Sequence, residues 1–313
     1  MKSHLLLLSL LVSFGKHYGQ PTTIVTKDKE TSYEEYYVLE SDKKIKHGSY
    51  VKLDKLLIGG YAFEAIGSYS NGVKEGYWET YYENNNNIKE KGFYKNGQRD
   101  SVWVLFYAEG VSRNLEQQQN ENGASLQIVD ANPVVWTTGK YANGKAIGTW
   151  EYFDERGVLY QIFDHDKASL TFLKNSDLKN VDAGFIGGEN LLTKHLYESF
   201  DFKDVMNSVD TKIRLQSGKV VFEFIIDEKG SVRDIVELES TINSKKLRAR
   251  ALEVTHGLDH KWYPKVVDGQ RQPTKKKIIF DLAVDSKYSI ALPNDKFGVS
   301  TGTKGFVLKM SVE

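Results

Sequence analysis

The spacing of hydrophobic and polar residues divides the chain into two halves. Before residue 161, short stretches of alternating aromatic and polar residues are interrupted by Asn-Gly pairs, a pattern typical of β-hairpins. After residue 217, alternating aliphatic residues predict two strands joined by a turn at 227–230, then an amphipathic helix and a last strand. The second half therefore has the order β-β-α-β, which predicts an α+β layer with one helix on a small antiparallel sheet.

Individual residues support these elements. Asn243 or Ser244 is the predicted N-cap of the helix, and Gly257 is its predicted end. The residues that carry the strand and helix patterns are Val220, Phe222, Phe224 and Ile226, then Val232, Val236 and Leu238, then Leu247, Ala251, Val254 and Leu258, and finally Ile278, Phe280, Leu282 and Val284.

One motif recurs in the first half. The stretch GSYSNGVKEGYW at 67–78 returns as GFYKNGQRDSVW at 92–103 and as GKYANGKAIGTW at 139–150. Gly, Tyr, Asn-Gly and Trp occupy offsets 0, 2, 4–5 and 11 in every copy, and offset 9 is Gly in two copies and Ser101 in the other. This agreement predicts internal repeats, with a degenerate copy or an insertion between the second and third copies. The motif residues are Gly67, Tyr69, Asn71, Gly72, Gly76 and Trp78; Gly92, Tyr94, Asn96, Gly97 and Trp103; and Gly139, Tyr141, Asn143, Gly144, Gly148 and Trp150.

Each copy predicts one hairpin. Asn71-Gly72 favours a two-residue type I′ turn, and folding there pairs Tyr69 with Lys74 and Gly67 with Gly76. The same operation pairs Gly92 with Ser101, and Gly139 with Gly148. Glycines beside large rings predict that the aromatic residues of one hairpin stack on the glycines of the next, because repeat units bury their faces against neighbours.

The motif G-x-Y-x-N-G-x-x-x-G-x-W, followed by further aromatic residues, resembles MORN-type repeats, and most closely the bacterial variant labelled the YwqK-type antitoxin repeat. The resemblance covers residues 46–165. It implies an elongated all-β array of hairpins that is used for protein or surface contacts.

The second half is similar to the TonB C-terminal domain over residues 187–285. Matching positions include Gly218, Asp227, Gly230, Trp262 and Pro264. The family's usual Tyr-Pro in the entry segment is replaced by Phe202-Lys203. The resemblance implies binding of an extended partner segment by strand addition. The strand expected to accept it is Ile278–Val284, with Ile278, Ile279, Phe280, Asp281 and Leu282 as its core.

The N-terminus predicts export. Lys2 precedes the apolar stretch Leu5–Phe14, and small residues follow up to Gly19, as in a cleavable signal peptide. The predicted divisions are a signal peptide at 1–19, an N-terminal extension at 20–45, repeats at 46–165, a linker at 166–186, the TonB-like domain at 187–285 and a tail at 286–313. Localisation is then periplasmic, secreted or envelope-associated.

Composition narrows the function further. Lys plus Arg and Asp plus Glu both number 42, which argues against a nucleic-acid partner, and the chain has no cysteine for thiol chemistry or cysteine-ligated metals. His256 and His260 are spaced i, i+4, but Gly257 lies between them at the predicted helix end. No cofactor, metal or catalytic constellation is expected, so the chain is not predicted to be an enzyme.

The leading hypothesis is an exported interaction or scaffold protein of the bacterial envelope with a protein partner there, an outer-membrane protein being one candidate. The alternative is carbohydrate or peptidoglycan binding by the aromatic face of the repeats, which requires exposed tryptophans. The basic residues Lys245, Lys246, Arg248 and Arg250 leave peripheral membrane contact open, although a solvated helix face is favoured. The oligomeric state is not predicted.

Overall fold

The computed structural model describes residues 20–57, 59–83, 86–108, 114–120, 123–129, 133–200, 217–285, 300–301 and 304–313. The predicted signal peptide lies outside these residues. The chain divides into two compact units, residues 1–166 and 167–313. The protein is mostly β, and its long antiparallel sheet fits an all-β repeat array.

The long sheet has eleven strands in the order β1-β2-β3-β4-β5-β6-β7-β10-β11-β12-β13. Their bounds are β1 Thr22–Asp28, β2 Ser32–Leu39, β3 Lys46–Lys55, β4 Tyr61–Ser70, β5 Val73–Tyr81, β6 Ile88–Lys95, β7 Gln98–Phe106, β10 Val135–Ala142, β11 Lys145–Phe153, β12 Leu159–Asp164 and β13 Ser169–Leu173. The sheet therefore extends beyond residues 46–165 at both ends. It includes β1 and β2 from the predicted extension and β13 from the predicted linker.

The gap between the second and third copies of the motif is an insertion. Strand β7 pairs directly with β10, so the sheet continues without the residues between them. Strands β8 (Asn114–Asn120) and β9 (Gly123–Val129) pair only with each other as a separate two-stranded hairpin.

The Asn-Gly turns form as predicted. Both turn residues have positive φ in every copy: 48° and 85° at Asn71 and Gly72, 52° and 77° at Asn96 and Gly97, and 50° and 76° at Asn143 and Gly144. Type I′ turns require this conformation, and Asn and Gly adopt it at the lowest cost.

In the described residues of the second unit, two helices lie beside short sheets. A five-stranded sheet has the order β16-β15-β20-β22-β21, and β14 with β17 and β18 with β19 form two-stranded sheets. The bounds are β14 Gly184–Phe185, α1 Gly188–Phe200, β15 Gly218–Ile226, β16 Val232–Ser240, α2 Lys245–His256, β17 Trp262–Tyr263, β18 Lys265–Val267, β19 Gln270–Gln272, β20 Thr274–Asp285, β21 Ser300–Thr301 and β22 Lys304–Val312. The predicted strand–strand–helix–strand order is present, while the resemblance to the TonB C-terminal domain stays a prediction.

The predicted pattern residues of β15 and α2 are in the core of this unit, together with Ile278, Phe280 and Leu282 of β20. Ser244 is the N-cap of α2, where its side chain accepts a hydrogen bond from Leu247 N, and Gly257 is the C-cap. In contrast, Val236 and Leu238 of β16 are exposed. Among the described helices, none has both the length and the apolar character that a bilayer span needs.

Candidate functional site

Each repeat hairpin contains the same break in register. In the first copy Ser68 pairs with Glu75, but the next pair is Ile66 with Glu79. One glycine, Gly67, therefore lies opposite the three residues 76–78, and the other two copies repeat this arrangement. The predicted pairings of Gly67 with Gly76, Gly92 with Ser101 and Gly139 with Gly148 are wrong, because a bulge occupies that position.

The residue at offset 9 of each copy produces the bulge. Gly76, Ser101 and Gly148 have φ of 71°, 59° and 61°, which is the left-handed region. An insertion of this kind kinks the strand and redirects the side chains that follow it. In this protein it turns the tryptophan at offset 11 back over its own hairpin.

The tryptophan ring covers the first glycine of its own copy. A Cβ placed on Gly67 would lie closer than 3.0 Å to three ring atoms of Trp78. Trp78 Nε1 also donates a hydrogen bond to Ser68 O at 3.0 Å. The same contacts form in the other two copies, where Trp103 covers Gly92 and Trp150 covers Gly139. The expectation that these rings stack on the glycines of the next hairpin is thus corrected, since each fills the space above its own.

Rings of successive copies still touch edge to face. Tyr69 and Trp78 meet at 5.2 Å and 89°, and Trp78 then meets Tyr94 of the next copy at 5.9 Å and 77°. Ring contacts with centroids 5.0–6.4 Å apart continue across the sheet, and all but the tilted contact of Tyr36 with Tyr50 are edge to face. We call this row the aromatic ladder: Tyr36, Tyr50, Tyr69, Trp78, Tyr94, Trp103, Tyr141, Trp150 and His165.

Cations lie over the ladder at a fixed place in the motif. At offset 7, Lys74 Nζ is 4.3 Å from the centroid of Trp78, and Arg99 Cζ is 4.2 Å from that of Trp103. Lys46 Nζ occupies the equivalent space over Tyr50 at 4.4 Å. All three are within cation–π range, and they cover ring surface that would otherwise meet solvent.

An open groove of about 910 Å³ lies beside this part of the ladder, within the first unit. Its walls carry both charges and partly buried rings: Tyr69, Lys52, Glu64, Lys74 and Glu90 are among the lining residues. Lys52 Nζ and Glu64 lie 2.6 Å apart and form an ion pair on one wall. Leu57 lies at the groove with its side chain fully exposed.

Burial changes the ionisation of groups in the groove. It lowers the pKa of Lys74; nearby Glu90 opposes this change and Arg99 adds to it. Burial raises the pKa of Asp54, and the carboxylate of Glu64 raises it further. The groove therefore combines carboxylates and cations whose ionisation depends on burial and on one another.

The strand expected to accept a partner is an interior strand. Residues Ile278–Leu282 belong to β20, which pairs with β15 on one side and with β22 on the other. Ile278 lies opposite Val312, and Leu282 lies opposite Leu308. Its backbone donors and acceptors are thus used within the chain, and Ile278, Phe280 and Leu282 are fully buried. The edge assigned from sequence is corrected accordingly.

The groove itself was not predicted. The cation at offset 7 is a signal visible in two copies of the motif as Lys74 and Arg99, and Lys74 is the one of the two that lines the groove. In the described part of the chain, no group of three or more His, Asp or Glu side chains is arranged to hold a metal ion.

Comparison with known proteins adds no relative. No family model matches the chain, and no curated protein shows a significant match to it.

Proposed function

We propose that the protein is an exported, non-enzymatic interaction protein of the bacterial envelope, and that the groove in its first unit binds an extended segment of a protein partner. The observation that carries this proposal is the groove itself, which is lined by tyrosine rings together with charges of both signs. Its volume lies within the range of about 300–1,000 Å³ that is typical of ligand sites.

The chemistry of the walls favours a polypeptide. Tyrosine is enriched in protein interfaces, because it offers a flat apolar surface with a polar end. The Lys52–Glu64 pair and the half-buried Lys74 place both donors and acceptors at the groove, and an extended backbone carries C=O and N–H groups that can bind to both kinds. The export part of the proposal rests on the sequence of residues 1–19.

The tryptophans count against the carbohydrate alternative. Stacking on a sugar requires an exposed ring face, but Trp78 and Trp103 are 1% exposed and Trp150 is 4% exposed. Membrane contact through α2 is also disfavoured, because Arg248 is paired with Glu237 at 2.7 Å and Arg250 with Glu253 at 2.7 Å.

Strand addition to the second unit is not part of this proposal. The described sheet ends at β16 on one side and at the two-residue strand β21 on the other, and the pairing of β16 with β15 is interrupted by two register shifts. Asp234 of β16 also has a φ of 51°. Bulged, twisted edges resist the addition of a further strand.

Site-specific photo-cross-linking of the full chain in its bacterial host tests the proposal. A photoreactive residue at Leu57, on the groove, is expected to give one discrete adduct with a protein. The same residue at Val158, which is exposed but does not line the groove, is the matched control and is expected to give none.

A charge change sharpens the test. Glu64→Lys is expected to abolish the Leu57 adduct. The double variant Lys52→Glu/Glu64→Lys keeps an internal ion pair, so its adduct shows whether the single variant loses the partner through lost binding or through lost stability. Equal adducts at Leu57 and Val158, or none at Leu57, would show that the groove is not an interface. Cell fractionation that finds the chain only in the cytoplasm would contradict export.

A further inference from the structure

The second unit contains a smaller cavity that the function proposed above does not use. It has a volume of about 370 Å³ and lies where β14 and β17 meet the start of α1, with β20 and β22 beside it. About half of its wall is apolar, and this part comes from Leu173, Val181, Phe185, Leu192, Trp262 and Val312. A cavity of this size and lining is suited to a small apolar group.

One hydrogen-bond donor on the wall of this cavity has no partner among the described residues. Tyr263 is 8% exposed, and its hydroxyl, which lies directly over Gly184 on the cavity wall, makes no hydrogen bond. Unsatisfied polar groups on buried residues are uncommon in folded proteins, so this hydroxyl points to an acceptor that the chain does not itself supply.

A positive charge lies at the same cavity. Lys276 is half-buried on the side of β20 that carries Ile278 and Phe280 toward the core, and it forms no ion pair with a described residue. Gly188, the first residue of the 13-residue helix α1, is also on the cavity wall. The free N–H groups and the dipole of a helix N-terminus favour an anion.

Two acidic side chains are also part of the lining. Asp182 is largely exposed and forms an ion pair with Lys265 at 3.3 Å. Glu189 is exposed in the first turn of α1. Both are more exposed than Tyr263 and Lys276. Burial raises the pKa of the Tyr263 hydroxyl and the nearby Asp182 carboxylate raises it further, so this hydroxyl stays protonated and can donate.

We infer that this cavity is a binding site for a carboxylate attached to a short apolar group. The apolar group would occupy the wall formed by Phe185 and Leu192, and the carboxylate would accept hydrogen bonds from Tyr263 and Lys276. A free carboxylic acid and the C-terminal carboxylate of a peptide with an apolar last residue share this chemistry.

Titration calorimetry of the full chain with octanoate tests the inference, with octylamine as the probe of inverted charge. Octanoate is expected to bind and octylamine is not. Lys276→Gln should weaken octanoate binding by about tenfold or more, because a charge-assisted hydrogen bond is lost. Tyr263→Phe, which removes only the hydroxyl, should weaken it by about threefold to tenfold.

Lys277→Gln is the matched control. Lys277 is the next residue on the same strand, is exposed and does not line the cavity, so octanoate affinity should not change. A peptide ending in leucine, compared as its free acid and its amide, distinguishes the two sources: tighter binding of the acid than of octanoate identifies a peptide C-terminus, and the reverse identifies a free acid.

Three results would overturn the inference: no octanoate binding by the parent chain, octylamine binding as tightly as octanoate, or equal losses in Lys276→Gln and Lys277→Gln. The groove variant Glu64→Lys should leave octanoate binding unchanged, so this site and the proposed groove interface succeed or fail separately.

Discussion

The contact between Gly67 and Trp78 gives the sharpest prediction. Gly67→Ala would place a Cβ closer than 3.0 Å to three ring atoms, whereas ordinary contact begins at 3.4 Å. The ring has no room to move, because it is 1% exposed and is held by Ser68 O and by Tyr69 and Tyr94. Complete loss of a buried tryptophan's packing costs about 3–5 kcal/mol, and we expect Gly67→Ala to lose most of that stability.

A double-mutant cycle separates this clash from other effects. Gly67 does not have positive φ, so once Trp78→Ala has removed the ring, Gly67→Ala should be neutral or stabilising by about 0.5–1 kcal/mol. Urea unfolding followed by far-UV circular dichroism would measure all four chains. A coupling energy of at least about 2 kcal/mol is expected. If Gly67→Ala lowers the free energy of unfolding equally with and without the Trp78 ring, the ring does not explain why the first position of the motif is glycine.

Three further predictions follow from single residues. Ser101 occupies the left-handed position that glycine holds in the other copies. Ser101→Gly should therefore stabilise the chain by about 1 kcal/mol, and Gly148→Ser should destabilise it similarly. Changes of the same sign in the free energy of urea unfolding would contradict this. Although burial disfavours the ionised form of Asp227, two backbone N–H donors and Arg233 outweigh it and lower its pKa. The Asp227 contribution is therefore present above the unfolded value of about 3.9 and is lost as pH falls through the lower folded pKa. Asp227→Asn should be less stable at pH 7 by a margin that narrows in acid, and a margin independent of pH would exclude this role. Burial lowers the pKa of Lys74 below 10.5. The contribution of Lys74 to the free energy of unfolding should therefore increase as pH rises from its folded pKa toward 10.5. NMR titration of its Nζ at or above 10.5 would contradict the burial.

Local chemistry explains what could be predicted from the sequence. The Asn-Gly turns depend only on residues that tolerate positive φ, and all three form. The hairpin turn at Asp227–Gly230 and the cap at Ser244 are likewise set by nearby backbone groups. Alternation along β15 correctly indicated its buried face, because that face meets a complete core.

Non-local pairing explains what could not. The sequence pairs Gly76 with Gly67 across the strands, because a glycine is equally suited to close approach and to positive φ. Only the register shows that Gly76 serves the second purpose. Strand β20 is an interior strand because β22 pairs with it. Strand β22 comes from the segment predicted to be a tail, so β20 could not be recognised as interior from its own sequence. The groove depends on side chains from several strands, and no single segment of the chain contains it.

Iodide quenching of tryptophan fluorescence tests the central claim most directly, namely that the motif's tryptophans are scaffold residues and not a ligand surface. Trp78, Trp103, Trp136, Trp150 and Trp262 are all 1–5% exposed. Because the rings are buried, iodide should quench the native full chain only slightly and the urea-unfolded chain strongly. A native chain in which a large fraction of the emission is accessible to iodide would contradict it.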